Sequence, residues 1–172
     1  MNAIGELLQS GDIYLDLDVP DKAALLERVA LLLSARVRMS PEEIASGLRA
    51  REQLGSTALG HGVAFPHARL ARCNLAAGLY VRTKMLIAFD APDRMPVSHV
   101  LALVVPRQAT ERHLRVLATA AAMFGDPKFR NQLAMCREPA AVHELFASWP
   151  STTDAARSPV PAPTPTDTGQ PR

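Results

Sequence analysis

Residues Val100 to Val105 read VLALVV, an unbroken apolar run. It is too short to suit a helix, and it suits a strand. Successive side chains of a strand point to opposite faces, so such a strand is covered on both sides. That requirement predicts an α/β chain in which helices pack over a sheet.

The rest of the sequence supplies the helices. In DKAALLERVALLLSARV, Leu25, Val29, Leu32 and Leu33 fall on one face at helical spacing, with Asp21 placed to cap the first turn. Ser40-Pro41-Glu42-Glu43 reads as a capping box with proline at the first helical position. Thr110 opens a third helix through ERHLRVLATAAAMFG, with Leu114, Leu117, Ala118 and Ala121 as its expected inner stripe. Asp126-Pro127 starts another, and PAAVHELFASW completes the set. Between the second and third helices lie short runs punctuated by glycine: LGSTALGHGVAFPHA, LAAGLYVRTK, LIAFDAP and SHVLALVVP. Two helices, a strand-rich centre and three closing helices predict a single-domain α/β fold, a central mixed β-sheet flanked by helices.

Composition narrows the function classes. A length of 172 residues with 48% hydrophobic and 21% charged residues suits one soluble domain. A formal charge of +2, with no run of basic residues, gives no footprint for nucleic acid. No window approaches the length of a membrane span, and MNAIGELLQSGD lacks the pattern of a signal peptide. Cys73 and Cys136 are far apart and form no CxxC motif. A reduced, cytoplasmic protein is expected, without membrane insertion. From Pro150 onward the text turns rich in proline, serine and threonine. This predicts a domain over 1–149 and a disordered tail over 150–172.

The segment GHGVAFPHARL, residues 60–70, raises a chemical question. A short apolar run ends on Pro66, which lacks a backbone donor and is expected to close the strand into a turn that holds His67 in one orientation. A lone histidine of this kind is either structural or a working group. His61, His99 and His143 read as structural or exposed. A metal site from His61, His67 and Cys73 has no recognised ligand spacing, so no metal and no cofactor is expected.

The longer segment REQLGSTALGHGVAFPHARL resembles the signature of the IIA phosphocarrier domains of the bacterial phosphotransferase system, fructose/mannitol class. It is nearest to the nitrogen-regulatory branch. IAFDAPDRMPV, LALVVP and ERHLRVLA recur in that family in the same order, so the resemblance extends over about residues 3–148. It implies that His67 is transiently phosphorylated by a small HPr-like carrier, and that Arg51 and His113 flank the phosphate.

The residue chemistry agrees. Neutral imidazole is a nucleophile near physiological pH. Phosphoryl transfer then needs mainly positioning and positive or donor groups around the phosphoryl oxygens. Arg51 offers a planar fork, and His113 lies in the first turn of a helix, where anions are favoured. Gly55, Gly60 and Gly62 are expected to bring backbone amides close to the same group. Two positions depart from the family: Ala68 stands where glycine is usual, and His61 where many nitrogen-type members have asparagine. Neither removes a reacting group. The resemblance therefore implies a phosphocarrier, a histidine phosphotransferase with a phosphohistidine intermediate, that regulates target proteins through its phosphorylation state. The alternatives are a sugar-specific IIA that passes phosphate to a IIB subunit, and a silent binding module of the same fold.

Overall fold

The computed structural model describes residues 2–108 and 110–150, with the backbone alone at Thr110. The expected tail beyond Pro150 lies outside the described residues. Two helices come first, α1 (Lys22–Val37) and α2 (Pro41–Gln53), after a short strand β1 (Ile13–Leu17). Then follow β2 (Ala58–Gly60), β3 (Val63–Ala64), β4 (His67–Leu70), β5 (Ala77–Ile87) and β6 (Val97–Pro106). Helices α3 (Thr110–Gly125), α4 (Pro127–Met135) and α5 (Pro139–Ser148) close the chain.

The expected helix starts are found. The Asp21 carboxylate accepts the Ala24 N–H at 2.8 Å, and Asp126 accepts that of Lys128 at 2.8 Å. Ser40 Oγ accepts the Glu43 N–H at 3.2 Å, with Pro41 in the first turn. Each of these bonds satisfies a backbone donor that the helix itself leaves unpaired.

The sheet runs β1-β5-β6-β3-β2, with β4 also paired to β6. It is mixed: β1 lies parallel to β5, β5 antiparallel to β6, and both β3 and β4 parallel to β6. Val100 to Val105 form the centre of β6 and are all buried. Their side chains alternate between two cores. Val100, Ala102 and Val104 face α1 and α2, packing with Leu25, Val29 and Ile44. Leu101, Leu103 and Val105 face the other way, toward Val116, Phe129 and Phe146. The run thus needed helices on both faces, and has them.

Two expectations are corrected. Pro66 does not close a strand into a turn. Ala64 pairs with Val100 and His67 with Leu103, so both strands advance by the same three residues across the interruption. The chain therefore runs straight from β3 into β4, with the Pro66 carbonyl accepting the Leu103 N–H at 3.0 Å. The proline removes one ladder donor and leaves the direction unchanged. The inner stripe of α3 is also displaced by one residue. Leu114 is 59% exposed and Ala118 and Ala121 are exposed, while His113, Val116, Ala120, Met123 and Phe124 are buried. Only Leu117 of the expected four packs partly against that core. The larger Met123 and Phe124 set the helix's rotation, and the alanine-rich stretch before them fits either face.

Strand β1 was not anticipated, because only Ile13 of its five residues is fully buried and their burial shows no strict alternation. The remaining histidines behave structurally. His99 Nδ1 lies 2.6 Å from the Tyr80 hydroxyl, and His143 Nε2 lies 3.1 Å from the Leu8 carbonyl. Burial, then the Arg82 charge, pushes the His99 pKa down to about 4.

Candidate phosphoryl-acceptor site

Alternation along β3 and β4 decides where His67 looks. Ala64, Ala68 and Leu70 belong to the core under α1 and α2, whereas Val63 and Phe65 belong to the opposite core. His67 shares their parity and therefore faces α3. The Ala68 methyl points the other way, toward Gly47 of α2, where a Cβ would stand 3.4 Å from it. The departure from the usual glycine is thus absorbed on the far side of the sheet.

Arg51 and His113 reach His67 from two directions. Arg51 sits in the last turn of α2, on the other face, and no strand is paired to the outer edge of β4 among the described residues. Its side chain meets His67 there: Arg51 Nε donates to His67 Nε2 at 3.2 Å. A second guanidinium nitrogen, Nη1, donates to the Gly55 carbonyl at 3.0 Å. His113, in the first turn of α3, places its ring centroid 5.4 Å from that of His67. The three residues that the sequence singled out converge on one point.

The hydrogen bonds dictate a tautomer. His67 Nδ1 lies 2.9 Å from the Phe65 carbonyl, which can only accept, so the ring proton is on Nδ1. Nε2 then carries the lone pair, and it accepts the Arg51 Nε–H. A protonated ring would set an N–H against the Arg51 donor. The His67 pKa is accordingly lowered, first by burial and also by the Arg51 charge, with the Phe65 carbonyl and Glu52 opposing. The sign follows: protonation of His67 requires a pH below the usual 6.5. Nitrogen-15 NMR at pH 6.5 should show a neutral Nδ1–H ring, protonating only at lower pH. A ring that is mostly charged at pH 6.5 would contradict the geometry.

His113 is buried, and its Nδ1 has no hydrogen-bond partner among the described residues. Its pKa is lowered by burial first, then by His67, Arg69 and Arg51. A neutral imidazole has one N–H, and burying that proton unpaired on Nδ1 is the costly choice. Nε2 is left as the nitrogen able to donate.

Gly55 plays another part than expected. The Gly55 N–H donates to the Glu52 carbonyl at 3.1 Å, so Gly55 contributes its carbonyl, to Arg51, and not its amide. Gly60, His61 and Gly62 all have left-handed φ, at +86°, +54° and +76°. The His61 N–H is committed to Asp93 Oδ2 at 2.7 Å, and Met95 N–H donates to Oδ1 of the same carboxylate. The loop is pinned by Asp93, and the His61 side chain is exposed. Histidine is among the residues that tolerate this backbone region, so His61 fits the turn without requiring glycine.

Sequence reasoning passed over Arg69 and Glu52. Arg69 is two residues beyond His67 on the same strand face, and its guanidinium donates to the Arg107 carbonyl ahead of α3. The strand period alone could have found it. Beside the site, Leu54 is 86% exposed and Leu114 59% exposed, so apolar side chains stand in water next to Arg51 and His113.

A doubly covered mixed sheet thus carries an edge-strand histidine held between an arginine and a second histidine. Residues 6–149 match the family described as phosphoenolpyruvate-dependent sugar phosphotransferase system, EIIA 2, and the chain belongs to that family. It is 32% identical to a nitrogen regulatory protein of Pseudomonas aeruginosa over 146 residues, covering 84% of this chain and 95% of that one. The crystal structure of nitrogen regulatory protein IIA-Ntr from Neisseria meningitidis superposes with a TM-score of 0.81 at 40% identity, over 83% of this chain and 98% of that one. The mannitol enzyme IIA of Escherichia coli, solved in complex with phosphorylated enzyme IIB, shares the fold at a TM-score of 0.70 and 19% identity, over 81% and 96% of the two chains.

Proposed function

We propose that this chain is a nitrogen-type phosphocarrier that accepts a phosphoryl group on His67 Nε2 from the phosphohistidine of an HPr-like protein. The observation that carries this reading is the pinned tautomer: a Phe65 carbonyl on Nδ1 leaves the Nε2 lone pair facing Arg51. As the new Nε2–P bond forms, the donor's N–P bond breaks and its electron pair returns to the donor imidazole. The guanidinium of Arg51, relieved of the lone pair, is placed to turn to a phosphoryl oxygen, and His113 supplies a second donor. Exposed Leu54 and Leu114 offer apolar surface for docking a protein rather than a small molecule.

A phosphorylated His67 carries close to two added negative charges, enough to make or break a protein contact. Regulation of target proteins by that charge is the reading favoured by the higher identity to nitrogen regulatory proteins. The second reading, delivery of phosphate to a sugar-type IIB, draws on the mannitol relative seen with its IIB. The two are separated by mixing the protein with a phosphorylated HPr-type carrier and following acid-labile phosphate. A regulator takes up phosphate and returns it mainly to the dephosphorylated carrier. Its affinity for targets captured from lysate differs between the two forms by about 1–3 kcal/mol. Rapid discharge to a fructose- or mannitol-type IIB, with identical partners for both forms, would favour sugar transport. Absence of uptake from any carrier of this type would favour a silent binding module.

A further inference from the structure

Glu52 is a carboxylate only 8% exposed, one residue after Arg51 in α2. A buried charge is tolerated when it is paired and hydrogen-bonded, and this one is fully engaged. Both oxygens accept the Thr57 N–H, at 3.2 and 3.1 Å, and Oε2 also accepts the Thr57 hydroxyl. Oε1 forms an ion pair with Lys22 Nζ of α1 at 2.6 Å.

Resting on the phosphoacceptor reading of His67, we propose that Glu52 is a positioning residue for phosphoryl transfer: its carboxylate clamps the turn 54–57, and that turn aims both Arg51 and the His67 ring. Two chains of contacts lead from the clamp. In one, the turn carries the Gly55 carbonyl that accepts Arg51 Nη1, while Arg51 Nε reaches His67. In the other, the Thr57 carbonyl accepts the Phe65 N–H at 2.9 Å, and the Phe65 carbonyl holds His67 Nδ1. Both arms end on the same imidazole, one on each nitrogen. A turn free to shift would move the guanidinium and the ring together, and guanidinium geometry is what a phosphoryl group reads. Residue Ser56 fastens the turn from outside, its hydroxyl donating to the Phe89 carbonyl at 2.6 Å. The competing explanation is that Glu52 merely ties α1 to α2 through Lys22.

Single-turnover phosphorylation of the full chain by a phosphorylated HPr-type carrier, at several carrier concentrations, decides between them. Glu52→Gln should lower the maximal rate by roughly 10- to 100-fold, the scale of an ångström-sized misplacement, at an unchanged half-saturating carrier concentration. Because one of the two arms passes through Arg51, Glu52→Gln should cost less in an Arg51→Ala background than in the wild type, the remainder passing through Phe65 to the His67 ring. Thr57→Val, which deletes the hydroxyl and keeps the volume, should show a smaller loss with the same dependence on Arg51, and it decides the matter if Glu52→Gln fails to melt cooperatively. A wild-type maximal rate in the deciding variant, or a loss that multiplies in full with that of Arg51→Ala, would overturn the proposal. Phosphorylation persisting in His67→Ala would instead overturn the acceptor reading beneath it.

Discussion

His67→Ala should take up no phosphoryl group from a phosphorylated HPr-type carrier, while its cooperative melt should stay close to that of the wild type. The reason for total loss is chemical. Arg51, His113 and Arg69 offer no other neutral nucleophile placed as Nε2 is: Arg51 is a permanent cation, and the His113 ring is buried. The reason for an intact fold is that His67 is half-buried at an edge strand, outside both hydrophobic clusters. Its hydrogen bonds run to one backbone carbonyl and one arginine, and a substitution of this kind costs about 1 kcal/mol. Intact mass before and after incubation reads the result directly. An added phosphoryl mass on the alanine variant would place the acceptor elsewhere.

The second large effect is expected at Arg51. Arg51→Ala should slow transfer by about 10²- to 10³-fold without preventing it, the usual cost of deleting one preorganised donor from a site where charge develops. In the resting protein the guanidinium donates to His67 Nε2, the proposed nucleophile. On the proposed chemistry that bond is given up as phosphorus approaches, leaving the guanidinium beside the incoming oxygens with its second nitrogen anchored on Gly55. His113→Ala should cost less, since its ring lies beside His67 without bonding to it. Quenched-flow single turnovers measure both variants, and rates equal to wild type would return these side chains to structural roles.

Much of this site was legible in the sequence, for identifiable reasons. Asp21, Ser40 and Asp126 act on donors two or three residues away, so their patterns survive without tertiary context. The six apolar residues of β6 announce burial on both faces by themselves. His67, Arg51 and His113 were visible through a motif whose spacing the family shares. Glu52 was invisible because a glutamate near a helix end ordinarily faces water, and nothing local says that this one is buried against Thr57 and Lys22.

Sequence by itself determined the elements that local chemistry controls: where the helices begin and which strand must be central. Tertiary structure decided what depends on contacts distant along the chain. It set the rotation of α3, turning His113 inward and Leu114 out, because Met123 and Phe124 pack in a core built from other elements. It carried the chain straight through Pro66, because register with β6 outweighs one missing donor. It joined Arg51 from one face of the sheet to His67 on the other, around the edge of β4. Capping involves partners a few residues apart, whereas these arrangements join segments separated by tens of residues, whose meeting only the folded chain can specify.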